Sequence, residues 1–282
     1  MTKNNEKVKA ITEDLETGVL NIYESGRYQE YLDFVAKFHH YSANNIVLIL
    51  KQKPDATLVA GYKAWGEKFG RRVKTGAKGI HILAPMQRKF TRQVADENGD
   101  VVDKEYQYTA FRIVYVFDVA DTEGSELPSL QVKELDGDVE AFDAIMEKLT
   151  DIAPVPVTWQ DIKNGAKGYY SHIENRIVLN SGMSHTQTIK TLIHETAHAM
   201  LHSKSGEQAE ADRETREVQA ESVAYTVCRY LGLDTSEYSF GYIAGWSTGK
   251  EIKELQKSME VIRRTAQTII KRLEDKPSEA AA

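Results

Sequence analysis

Apolar residues recur at helical spacing through residues 7–24, at Ile11, Leu15, Val19, Leu20 and Tyr23, before Gly26 breaks the run. The same period returns over residues 28–39 with Tyr31, Leu32, Phe34, Val35 and Phe38, so the N-terminus predicts two helices joined by a tight turn. Residues 43–52 predict a third helix, which starts near Ser42 and ends before Pro54. The pattern then changes. Gly61, Gly66, Gly70, Gly76 and Gly79 punctuate a short helix over 62–69 and a strand over 79–84. Residues 110–119 (AFRIVYVFDV) alternate and are rich in β-branched and aromatic side chains, as a half-buried strand requires. Between these strands, residues 93–105 are acidic and hold Asn98-Gly99, which predicts the tip of a hairpin.

Residues 121–135 (DTEGSELPSLQVKEL) are polar, contain Gly124 and Pro128, and keep no period, so they predict a linker. Beyond it the pattern gives a helix over 139–150, strands at 156–159 and 177–179, and helices over 186–203, 210–231 and 250–273. The run from Tyr169 to Leu179 has hairpin character, and 274–282 should fray. The expectation is an α+β protein of two domains, residues 1–125 and 126–282, which the length of 282 residues accommodates.

Composition narrows the class. With 41% hydrophobic and 28% charged residues the chain reads as globular rather than disordered or fibrous. The first ten residues carry no apolar block of the signal-peptide kind, and the most apolar run is the short one over 46–50. A cytoplasmic protein without a membrane span is expected. Cys228 is the single cysteine, which excludes an intrachain disulfide and a cysteine-rich zinc ribbon. Any metal must rest on histidines and carboxylates.

Residues 194–198 supply both, as His194-Glu195-Thr196-Ala197-His198 inside an apolar-periodic helix. Residues i and i+4 share a helix face, so both imidazoles can reach one Zn2+ while Glu195 stands one step round, placed to act on a water. A catalytic zinc needs a third protein ligand, and the next helix offers Glu217 and Glu221, again at i, i+4 spacing. Glu217 is expected as the ligand and Glu221 as acceptor from a ligand imidazole's other nitrogen, although the two roles could be exchanged. His202 is turned by about 80° from His194 on the helix and is expected at the surface. The alternative pattern with a glycine and a third histidine further along the chain is excluded, because Leu201 and Lys204 stand there. Such a site would hydrolyse amides, with Glu195 as general base. Tyr238 and Tyr242 are candidate oxyanion donors, against the plainer reading that they are core, and the 169–179 hairpin is a candidate edge for an extended substrate.

The net charge of -6 conceals a basic block: residues 51–92 hold eleven Lys and Arg against Asp55 and Glu67. Tyr62, Trp65 and Phe69 interleave there with Lys63, Lys68, Arg71, Arg72, Lys74 and Lys78, the mixture of stacking faces and cations that single-stranded nucleic-acid binders use. Arg71 is the expected phosphate contact, supported by Lys74 and Lys78, and Tyr41, Asn44 and Asn45 could line the same groove. The alternative is that Trp65 and Phe69, four apart on a helix, pack a core.

LIHETAHAMLH followed by REVQAESVAY resembles the zincin-like peptidases with a glutamate third ligand, and specifically the ArdC-type antirestriction proteins of plasmids and conjugative elements. The resemblance spans about residues 28–246, and Trp65, Gly70, Arg71, Val73, Gly76 and Gly79 match the pattern of that family's N-terminal domain. It departs from the plasmid type in a shorter N-terminus and at Gln219, where an acidic residue is frequent in related zincins. The resemblance implies a single-stranded-DNA-binding domain followed by a zinc metallopeptidase domain, acting on mobile DNA and on a protein substrate it does not name. Two competing expectations are a non-enzymatic DNA-binding protein with a structural zinc, and a regulatory protease that cleaves one repressor or restriction subunit.

Overall fold

The computed structural model describes residues 3–95, 100–127, 139–163, 165–238 and 240–275. The chain divides into two compact units, Met1–Gly18 with Leu48–Leu127, and Val19–Val47 with Pro128–Ala282. Three helices open the chain, α1 (Lys3–Glu24), α2 (Tyr28–Phe38) and α3 (Ala43–Gln52). Residues 19–47 therefore group with the C-terminal residues rather than with the basic block.

In the first unit β1 (Val59–Gly61), α4 (Tyr62–Phe69) and β2 (Arg71–Val73) precede a long ribbon of β3 (Ile80–Ala95) and β4 (Val101–Asp118). A 3-10 turn at Val119–Asp121 and β5 (Thr122–Gly124) follow. Strands β1, β4 and β3 form one antiparallel sheet, and β2 pairs with β5. Ile80, Ile82 and Val116, on one face of the ribbon, are buried, as are Val59 and Trp65. The ribbon runs further than the sequence predicts, pairing from Ile80 with Val116 out to Ala95 with Val101. Cross-strand contacts extend it: Phe90 stacks on Tyr106 at 5.4 Å, and Lys89 pairs with Glu105. The segment expected as a hairpin tip is thus strand at both ends, while Asn98-Gly99 lies outside the described residues.

The expected linker is corrected in the same way. Its first residues are the 3-10 turn and β5, tied back to β2, and residues 128–135 lie outside those described. The turn is fixed by Asp118, a buried carboxylate that accepts from the amides of Thr57 (2.8 Å), Leu58 (3.2 Å) and Ala120 (2.9 Å). Gly124 closes the pairing at φ +136°, where a Cβ would stand 2.6 Å from the carbonyl oxygen of Gly70.

The second unit contains α2 with α5 (Val139–Ile152), β6 (Val157–Gln160), β7 (Gly168–Ser171), β8 (Arg176–Asn180), α6 (His185–His202), α7 (Arg213–Tyr230), α8 (Ile243–Ser247) and α9 (Ile252–Glu274). Its sheet has the order β6-β8-β7, with β6 parallel and β7 antiparallel to β8, so β7 is an edge. Helix α7 packs against α2, α6, α8 and α9. It begins later than its apolar pattern suggests because Asp212 caps it, accepting from the Thr215 amide at 2.8 Å. Its buried polar groups are satisfied: Ser222 bonds the Val218 carbonyl at 2.6 Å and meets the Tyr28 hydroxyl at 2.9 Å. Helix α9 continues to Glu274, and the tail from residue 276 lies outside the described residues. Among the described residues, no helix is long and apolar enough to cross a membrane.

Candidate metal centre

Helix α6 buries Ile189, Leu192, Ile193 and Ala197 on its apolar side, which leaves His194 and His198, one turn apart, on the side facing α7. Their Nε2 atoms stand 3.0 Å apart. From α7, Glu217 Oε2 lies 3.7 Å from each of those nitrogens. Among the described residues these three form the group whose donor atoms converge closely enough to hold one metal ion. Donors around a tetrahedral zinc with bonds of about 2.0–2.1 Å stand roughly 3.3–3.4 Å from one another. The triangle matches that spacing within a few tenths of an ångström, and its donor set of two imidazoles and a carboxylate suits zinc or a similar divalent ion.

Glu221, one turn along α7, places Oε2 3.5 Å from His194 Nδ1. Burial pushes the His194 imidazole down, but hydrogen bonding to Glu217 and Glu221 outweighs it and holds the ring up at about 9. Glu217 is held far below the usual carboxylate range, mainly by hydrogen bonds to His194 and His198. Negative charge is concentrated here, which a dication would balance.

His202, expected at the surface, is buried. Gln219 explains this: its Oε1 lies 3.0 Å from His202 Nε2, and His202 Nδ1 lies 3.0 Å from His198 Nδ1. Burial drives His202 down to about 4, so the ring is neutral and carries one proton. An amide oxygen can only accept, so that proton sits on Nε2 and His202 Nδ1 must accept from His198. The chain Gln219, His202, His198 thereby fixes the tautomer in which the His198 Nε2 lone pair points at the triangle. Gln219→Leu is expected to weaken metal affinity about 10- to 100-fold, measured by competition with a chromogenic chelator, whereas Gln219→Glu keeps the acceptor and should retain it.

Glu195 is buried, and burial raises its carboxyl above the ordinary carboxylate range against the opposing pull of His194 and His198. The Tyr170 backbone N–H donates to it from β7. Close packing of β7 on α6 makes this possible, since a Cβ on Gly168 would stand 2.7 Å from Thr191 Cγ2. The Tyr238 hydroxyl meets Cys228 Sγ at 3.9 Å. Tyr242 is part-exposed, and burial followed by the charges of Glu221 and Glu217 pushes its phenol up to about 12, so it stays a donor.

Residues 3–117 match the N-terminal domain of anti-restriction factor ArdC, and residues 155–235 match the IrrE N-terminal-like domain, a peptidase family. The chain joins an ArdC N-terminal domain to an IrrE-like domain. This meets the expected α+β architecture and the resemblance read from the motifs. An uncharacterized protein of Bacillus anthracis is 28% identical over 314 residues, which take in 97% of this chain and 52% of that protein. The chain thus spans about half the length of that relative. Crystal structures of the antirestriction ArdC protein from R388 plasmid are also similar. The metal-free form has a TM-score of 0.49 at 20% identity, covering 83% of this chain and 85% of that one. The Mn(II)-bound form has a TM-score of 0.49 at 18% identity, covering 84% and 86%.

The ArdC-type domain uses some of its expected nucleic-acid residues otherwise. Trp65 is fully buried, donates Nε1–H to the Phe117 carbonyl at 2.9 Å and packs on Phe69, so no ring face is left for a base. The Arg71 guanidinium braces β5 through Thr122 Oγ1 (2.8 Å), the Thr122 carbonyl (3.0 Å) and the Gly124 and Ser125 carbonyls. Arg72 pairs with Glu123, and Lys74 donates to the Ala120 carbonyl at 2.9 Å. Tyr41 and Asn45 belong to the other unit, with Asn45 buried. Lys63 and Lys78 are exposed. Beside them lies an aromatic patch in which the sequence pattern picked out Tyr62 but missed Tyr115 and Phe117. Tyr62 meets the Phe117 ring edge-on at 6.2 Å, and a Cβ at Gly79 would touch both Tyr115 (3.1 Å) and Phe117 (3.2 Å). Tyr62 and Tyr115 are exposed. Tyr115 and Phe117 share the outer face of β4, which its period-2 alternation could have revealed.

Proposed function

We propose that the chain is an antirestriction factor of mobile DNA in which the IrrE-like domain is a zinc peptidase and the ArdC-type domain holds single-stranded DNA, the chain passing from one to the other near residue 125 while residues 19–47 group with the later unit. The observation that carries the peptidase reading is the convergence of His194, His198 and Glu217, with buried Glu195 beside them. Three protein donors leave a fourth position open, as in catalytic and unlike structural zinc sites. When bound, zinc supplies Lewis acidity, acidifying water and polarising a peptide carbonyl.

The chain's own residues do the rest. Glu195 accepts from the Tyr170 amide, and burial lifts its carboxyl above the ordinary range, so as the carboxylate it is a stronger base than an exposed glutamate and takes a proton from the attacking water. As the C–N bond breaks, it returns that proton to the leaving amine. Edge strand β7 offers a line along which an extended peptide can lie. The test is turnover of a peptide library by the zinc-loaded chain, with metal content measured in parallel. A chain that holds one equivalent of zinc and cleaves nothing in the library would overturn a general peptidase and leave the non-enzymatic reading or a protease confined to one protein, which a search for a cleaved partner in cells separates.

For DNA, the exposed patch of Tyr62 and Tyr115 flanked by Lys63 and Lys78 offers stacking faces and cations together. Replacing both tyrosines with alanine is expected to weaken binding of a single-stranded oligonucleotide at least about tenfold, read by fluorescence anisotropy. Affinity of the unsubstituted chain should fall steeply between about 50 and 200 mM salt. Equal affinity for a duplex of the same sequence would count against single-strand preference.

A further inference from the structure

A cavity of about 290 Å³ adjoins the site, with Glu195 and His194 on one side and Lys167, Gln187, Lys190 and Thr191 around it. Lys190 stands four residues before His194 on α6, so the helix presents both toward the same space. Its side chain is only 8% exposed. Burying an ammonium is unfavourable unless a well-placed partner compensates it. The partner present is Glu237, whose Oε2 lies 3.5 Å from Lys190 Nζ, at the limit of a hydrogen bond, on a side chain that is 70% exposed. The Tyr238 ring lies under the ammonium at 5.5 Å. Lys167 adds a second cation at the rim, bonded to Gln187 Oε1 at 2.7 Å. Of the other carboxylates that line the cavity, Glu195 accepts from Tyr170 and Glu221 lies beside His194.

We infer that this cavity is a subsite for a carboxylate of the peptide, recognised by Lys190. The inference rests on the peptidase reading and names the substrate class that it lacks: peptides bearing an acidic side chain next to the scissile bond, or a free C-terminal carboxylate placed there. Entry of the carboxylate completes an ion pair that Glu237 meets only weakly. A neutral amide of the same shape leaves the ammonium under-compensated, which is the situation in which binding sites discriminate strongly.

The experiment uses the whole 282-residue chain with Glu195→Gln, loaded with zinc, so that peptides bind without turnover. Fluorescence anisotropy compares three peptides: one with an internal glutamate and an amidated C-terminus, the same with glutamine, and the glutamine peptide with a free C-terminus. One or both carboxylate peptides should bind at least about tenfold more tightly than the neutral one, and which of them does so identifies the source. Adding Lys190→Gln should erase the difference, and Lys190→Glu should transfer the preference to a lysine peptide. Equal affinity for the three, or a preference that survives Lys190→Gln, overturns the inference. Carboxylate preference without cleavage by the unsubstituted chain supports the subsite and overturns the peptidase reading. Cleavage without preference does the reverse, and no binding of any peptide overturns both.

Discussion

Glu195→Gln is expected to retain its metal and to lose peptide hydrolysis by roughly two to four orders of magnitude, the usual worth of a positioned general base. The two properties separate because Glu195 is not among the converging donors, which are His194, His198 and Glu217. Glutamine has nearly the same shape and keeps an oxygen for the Tyr170 amide, so the packing of β7 on α6 should survive. What it loses is the ability to take and return a proton. Burial already lifts the native carboxyl, which places it nearer the working pH than an exposed glutamate would be. The measurement is single-turnover cleavage beside metal analysis. A variant that kept native rates with full metal would place the base elsewhere.

His198→Ala acts on the other property. Zinc held by four protein ligands binds with about 10–16 kcal/mol, or roughly 3 kcal/mol for each donor, so removing one of three should weaken affinity at least about a hundredfold. Loss should also show in stability, because a ligand that binds only the folded chain raises its melting temperature by mass action. Added zinc is expected to raise the melting temperature of the unsubstituted chain and, at the same concentration, to raise that of His198→Ala far less. Because His198 is also the inner end of the chain from Gln219 through His202, the same substitution leaves His202 Nδ1 without its donor. A zinc-dependent shift of native size in the variant would show that the ion binds elsewhere.

Much of this site could be read from spacing. The i, i+4 histidines sit on an apolar-periodic helix, and Glu217 and Glu221 share a face of the next one, because helical geometry is local. Which glutamate meets both imidazoles is decided by how α6 packs on α7, and no spacing states that. His202 shows the limit most clearly. A polar residue near a helix end looks exposed until a partner such as Gln219 arrives from another helix. The same holds for Lys190, whose charge suggests solvent while its place one turn before His194 buries it. In the first unit the long strands showed their alternation. The three-residue strands β2 and β5 did not, because partners about fifty residues apart in the chain create them. Trp65 and Arg71 matched a motif for structural reasons, one filling the core and the other bracing β5.

Helix α2 lies early in the chain yet is folded into the C-terminal unit. Tyr28, Tyr31 and Phe34 are buried there, Asp33 accepts from both Tyr225 and Arg229 of α7, and Tyr28 meets Ser222. A nick between residues 127 and 139 would therefore cut the backbone without freeing the pieces, since the first would still be anchored through a helix that the second cannot replace. The two portions are not interchangeable cassettes, and a swap that takes only residues 1–125 from a relative would bring along part of its new neighbour's interior.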